Sequence, residues 1–262
     1  MTSATLTRWY PLRPHAEQRR LWDSPCRFRV VPAGRRSGKS ELSKRYGVSR
    51  AIGPQLWSDA RYVFTAPTHQ QARRIFWNDV KRMIPKWALA GQNPRTAIRE
   101  SDLSIRLHNG AEILVSGLDV PERIEGVAVD WICIDEIGNC HAEVWGEHIR
   151  PMLSERNGQA WLIGVPEGRN HYWLMSQKAQ EDASGLWSFH TWTSATVLPP
   201  EEIEIARAEL DLRTFRQEYE ASFLDATGRV YYGFRRELHA AERLAYDPTL
   251  PLVLCFDFNV AP

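Results

Sequence analysis

The chain has 262 residues, 43% of them hydrophobic and 25% charged, which is ordinary for a globular protein with a buried core and excludes an intrinsically disordered chain. No run of about 18 apolar residues is present to cross a bilayer as a helix, and the start MTSATLTRWYPLRPH has no apolar core of a secretory signal, so the expected setting is cytoplasmic, with no membrane partner. Net charge is +1, yet residues 1–100 hold 20 Lys+Arg against 6 Asp+Glu and residues 101–262 hold 13 against 26; the basic half is suited to a polyanion, or the two halves neutralise each other across one surface.

Taken in order, FRVVPA (28–33) reads as a short buried strand, residues 39–52 as the helix that follows, and RYVFTAP (61–67) as a second strand. A helix then begins with Thr68 as N-cap and stops before Pro85. At helical spacing Ala72, Phe76, Val80 and Met83 share one face, while Arg73, Arg74, Lys81 and Arg82 spread over the other, as a solvated face or a polynucleotide contact. Residues 103–118 alternate apolar and polar on both sides of Asn109-Gly110, the dipeptide favoured in two-residue hairpin turns. Strands are expected again at 129–135, 160–166 and 187–193, an α/β order with an inserted antiparallel element. Pro199-Pro200 then precede one charged helical region ending near Gly228. Cys26, Cys133, Cys140 and Cys255 form no C-x-x-C pair and read as small apolar residues rather than metal ligands.

The stretch VVPAGRRSGKSEL (30–42) lies where a strand gives way to a helix. It fits G-x-x-x-x-G-K-[ST] with Ala33 in the first glycine position, followed by Gly34, Ser37, Gly38, Lys39 and Ser40. Such a loop turns its backbone N–H groups onto phosphate oxygens, Lys39 reaches the β/γ-phosphates of ATP, and Ser40 offers a hydroxyl to Mg²⁺. The departure at Ala33 is expected to matter little, because Gly34 beside it supplies flexibility. WICIDE (131–136) is the matching acidic element: a buried strand delivering Asp135 to the Mg²⁺ shell and Glu136 to the attacking water. A kinase, whose acceptor is a substrate hydroxyl, has less need of the second carboxylate, so hydrolysis is favoured.

AGRRSGKS, the DE-terminated strand, GVPEGRNHYW, FRQEYEASF and VLCFDFN, in this order, resemble the large terminase subunit of tailed double-stranded DNA bacteriophages. The resemblance implies a RecA-like α/β P-loop ATPase core with a mainly parallel sheet, an inserted β-hairpin and a small helical C-terminal subdomain. It implies ATP-driven movement of double-stranded DNA into a capsid in the host cytoplasm, with a portal protein, a small terminase subunit and a homo-oligomeric ring as partners, and a monomer when alone. The domains expected are residues 1–197 for the ATPase, 198–230 for a helical lid, and 231–262 for a linker and the first strand of a truncated RNase H-like nuclease domain without nuclease activity. In that domain Asp257 would be one carboxylate of an incomplete metal site; it could equally sit on a last strand of the ATPase sheet with no metal role.

The resemblance further implies that Arg35 and Arg36 sense the γ-phosphate from the same subunit or hold the loop, and that the amide of Gln18 pairs with adenine unless it is a surface glutamine. Arg95, Arg99 and Arg123 are candidates for an arginine acting on a neighbour's site. The family's coupling segment usually has Ser or Thr before its proline, where this chain reads Gly164-Val165-Pro166; backbone groups or Asn170 would then do the coupling, or the alignment is shifted by a few residues. Two other readings share these motifs. A superfamily-2-like helicase needs a second RecA-like lobe, for which no room follows residue 200, and a nucleotide-gated scaffold would show negligible ATP turnover.

Overall fold

A computed structural model describes residues 13–91 and 94–224, together with Thr249. The chain divides into two units, Met1–Ala226 and Thr227–Pro262; all that follows concerns the first. Eight strands form one sheet in the order β3-β4-β5-β2-β6-β7-β1-β8: β1 Phe28–Pro32, β2 Arg61–Ala66, β3 Ile98–Arg99, β4 Ser104–Arg106, β5 Glu112–Gly117, β6 Trp131–Ile134, β7 Gln159–Gly164 and β8 Trp187–Phe189. From β5 to β8 every neighbour is parallel, and β3 and β4 extend the β5 edge antiparallel. The expected parallel core with an antiparallel insert is therefore present, and the expected strands run one to four residues shorter. Residues 98–99, not anticipated as a strand, add the outermost pairing.

The central strands are buried on both faces, as parallel sheets covered by helices require. In β6 Trp131 and Cys133 enter one cluster with Tyr46, Phe64, Phe76 and Trp161. Ile132 and Ile134 enter the other with Phe28, Val30, Leu162 and Tyr172. The helix Lys39–Ile52 lies on the first face, where Gly47 lets it approach the sheet: a Cβ there would stand 2.5 Å from Phe64 and Trp131. The buried Lys44–Asp79 ion pair, 2.7 Å, ties this helix to the next.

Three local expectations are corrected. The helix after Thr68, whose N-cap forms a full capping box with Gln71, is not uniform: His69–Ala72 and Asn78–Met83 flank a π turn over Arg73–Trp77. The turn rotates the following residues, so Trp77 and Ile84 join Ala72, Phe76 and Val80 in the core while Met83 is only partly buried. The hairpin at Asn109-Gly110 is not a two-residue turn. Gly110 N–H donates to Leu107 O and Leu107 N–H to Ala111 O, and Gly110 alone takes positive φ, +87°, the three-residue arrangement with a glycine bulge. Asn109 instead donates to the carbonyls of Ala51, Ile52 and Gly53 at the end of the preceding helix. The charged region after Pro199 is two helices, Pro200–Glu209 and Leu212–Glu218, because Asp211 starts a new one by accepting from the N–H groups of Arg213 and Thr214. Gly228, Cys255 and Asp257 lie outside the described residues.

Candidate nucleotide-binding site

The loop between β1 and the helix Lys39–Ile52 curls because Arg36 and Gly38 both take positive φ, +59° and +85°. The backbone N–H groups of Arg36 through Ser40 find no acceptor among the described residues. Five donors around one loop at a helix N-terminus form a nest for an anion with several oxygens, which is phosphate chemistry.

What holds this loop was not apparent in the motif. Ala33 N–H donates to Gly164 O, Gly34 N–H to Trp192 O, and Arg35 N–H to Glu218 O. The Trp192 indole donates to Ser37 O at 3.0 Å, and Ser194 Oγ donates to Arg35 O at 2.6 Å. Gly34 is needed for close approach rather than for flexibility, since its φ is not positive. A Cβ there would meet Ser194 Oγ at 2.5 Å, Ser194 N at 2.6 Å and Tyr219 O at 2.7 Å. The aromatic run around Trp192 and the FRQEYEASF segment were the only sequence signals near these braces, and neither spacing nor periodicity marked them.

Opposite the loop, β6 ends on Asp135 and Glu136. β7 lies between β6 and β1, so the acidic pair faces the loop across one strand. Ser40 Oγ donates to Asp135 Oδ2 at 2.7 Å. Asp135 is 2% exposed, and burial, then the neighbouring Glu136 charge, push its carboxyl up to about 6 against the pull of Lys39 and Ser40. A buried carboxylate this short of positive charge, touching a serine hydroxyl, suits a hard divalent cation. No cluster of three or more His, Cys, Asp or Glu stands among the described residues, so such an ion would draw its other oxygens from phosphate and water, as Mg²⁺ commonly does.

Glu136 adopts the left-handed region (φ 52°, ψ 46°), a strained conformation for a non-glycine residue. Its Oε1 stands 3.8 Å from Lys39 Nζ, and its Oε2 accepts the Val165 N–H at 3.1 Å. The segment Gly164-Val165-Pro166 thus contacts the carboxylate through backbone. Asn170 caps the helix His171–Glu181 and donates to Gly138 O, tying that helix to the turn after Glu136.

The remaining expected residues divide. Gln18 is buried, its amide nitrogen 3.4 Å from Ser37 O, so it is no surface glutamine and its donor is directed at the loop. Arg35 makes an ion pair with Glu218, which braces the loop, and also feels the Glu136 charge. Arg36 is exposed, with no side-chain partner among the described residues. Arg99 pairs with Asp102 at 3.9 Å, while Arg123 lines a cavity of about 400 Å³ with His69, Asp102 and Ser116; the Arg95 side chain lies outside the described residues.

A family model described as the terminase large subunit, T4likevirus-type, N-terminal, matches residues 31–238. The large terminase subunit of Thermus phage G20c is 28% identical over 254 residues, covering 84% of this chain and 51% of that protein; the chain spans about half the length of the curated relatives it matches. Among solved structures, the large terminase ATPase domain of Thermus phage P74-26 superposes with a TM-score of 0.67 at 24% identity, covering 81% of this chain and 94% of that one. The large terminase of a second thermophilic bacteriophage, solved with ATP-γ-S, gives 0.61 at 14% identity over 91% of this chain and 58% of that one. These two likenesses carry the RecA-like fold, and the family match over 31–238 carries membership: the chain belongs to the terminase large subunit family.

Proposed function

We propose that this chain is a Mg²⁺-dependent ATPase that drives double-stranded DNA into a viral capsid. The observation that carries the reading is the convergence of Lys39, Ser40, Asp135 and Glu136 on a loop with five N–H donors unpaired among the described residues. The N–H groups and Lys39 hold the β- and γ-phosphates, and Ser40 and Asp135 hold Mg²⁺, which supplies charge neutralisation. Glu136 leaves its contact with Val165 to orient a water and take its proton as the water oxygen bonds to the γ-phosphorus and the bond to the ADP oxygen breaks. The Val165 backbone then senses whether that carboxylate is occupied, in place of the missing hydroxyl.

The portal protein, the small terminase subunit, a homo-oligomeric ring and the host cytoplasm belong to this reading as the setting of such a motor, and residues 198–230 as its lid. Slow turnover by the separate chain is expected, because Arg35 is engaged by Glu218 and a second cation would have to come from a neighbour. Nucleotide binding and ATP turnover of two variants test the site. Lys39→Ala should abolish binding, whereas Glu136→Gln should retain binding and lose turnover by about 10²–10⁴-fold. Equal loss of binding in both would overturn the assigned roles.

A further inference from the structure

The outer face of the helix over residues 69–83 carries four cations and a π turn, and the nucleotide site uses neither. Along this face Lys81 pairs with Glu100, and Glu100 also feels Arg73 and accepts from the Trp77 indole. Asp79, the acid within the helix, is buried on Lys44. Arg74 and Arg82 are exposed and have no partner among the described residues. Some exposed arginines elsewhere are paired with acids, Arg20 with Glu17, Arg99 with Asp102 and Arg106 with Glu112, whereas Arg36 and Arg50 are exposed without an ion pair among the described residues. At positions 74 and 82 two such unpaired cations stand on one helix.

The π turn accounts for their alignment. On a straight α-helix, residues eight apart stand about 80° out of phase. The extra residue taken up over Arg73–Trp77 reduces that to about 20°. Lys81, which stands at this spacing from Arg73, pairs with Glu100, and the Arg73 charge acts on the same carboxylate. By the same rotation Arg74 and Arg82 stand nearly in line, about 10.5 Å apart along the axis, a length equal to about three nucleotide steps at about 3.4 Å of duplex axis each.

We propose that Arg74 and Arg82 on this helix face contact the phosphate backbone of duplex DNA. The inference rests on the motor reading above for its choice of polyanion. Its test is duplex affinity of the chain without nucleotide, by fluorescence anisotropy of a labelled 30-base-pair duplex over a salt series, with binding of a fluorescent ATP analogue measured in parallel. The double substitution Arg74→Ala/Arg82→Ala should weaken duplex binding by about tenfold or more and flatten the slope of log K against log salt by about 1.8. Nucleotide binding and the melting temperature should stay as they were. Arg50→Ala, removing an exposed cation at the end of the helix Lys39–Ile52, should leave the slope unchanged, well short of the roughly 0.9 that losing one phosphate contact would cost. Equal effects of the two changes, or no duplex binding by the unaltered chain, would overturn the proposal. Failure of the motor reading would show separately, as loss of nucleotide binding by the unaltered chain.

Discussion

Replacing Asp135 with asparagine should stabilise the nucleotide-free protein at neutral pH, although it removes an acid from the centre of the site. Asparagine imitates the protonated acid, with one acceptor and one donor group, and carries no charge to desolvate. The carboxyl is raised from 3.8 to about 6 in the folded chain. A raised acid contributes its stability in full below 3.8, loses it as pH climbs through about 6, and above that holds the folded state at a disadvantage. The displacement corresponds to about 3 kcal/mol at 1.36 kcal/mol per unit. For a domain of this size, about 2–4 °C per kcal/mol makes the expected rise in melting temperature about 6–12 °C at pH 7.5, shrinking toward zero near pH 4. Thermal unfolding followed by circular dichroism in EDTA, for both proteins at both pH values, measures it. In Mg²⁺ and a non-hydrolysable ATP analogue the order should reverse, because ligand binding to the folded state raises only the protein that retains the carboxylate. An Asn variant that melts at or below the unaltered protein at pH 7.5 in EDTA would refute the reasoning, since Asp135 would then not be held ionised against burial.

Gly34→Ala should lower stability by about 1–3 kcal/mol, because two of the three clashing atoms are backbone, Ser194 N and Tyr219 O, and it should weaken ATP binding with it; Ala33→Gly, which restores the motif's first glycine, should not rescue it, and calorimetry and nucleotide titration read both. Glu218→Gln removes the charged partner of Arg35, whose side chain is 61% exposed, so stability should change by under about 1 kcal/mol. The freed guanidinium should nevertheless change the KM for ATP several-fold, and an unchanged KM would show that Arg35 serves the loop alone.

The chemistry of the site was legible because its parts are contiguous. A phosphate nest requires glycine and a helix start within a few residues, and a buried strand ending in two acids states its purpose in six letters. Thr68 likewise announces a helix, since capping joins groups three residues apart. Periodicity separated strands from helices for the same reason, and it failed where the period itself changed: the π turn at Arg73–Trp77 has no local cost large enough to read, and was selected by burying Trp77 and Ile84 together.

Sequence thus determined the phosphate loop, the acidic strand end and the alternation of elements. Tertiary structure alone decided that β7 lies between β1 and β6, that Glu136 rests on the Val165 N–H, and that the loop is braced by Trp192, Ser194 and Glu218. Arg35 shows the reason. Nothing within the loop selects the partner of its side chain, and the choice fell to a carboxylate 183 residues along the chain, whose position depends on how the whole sheet and its helices pack.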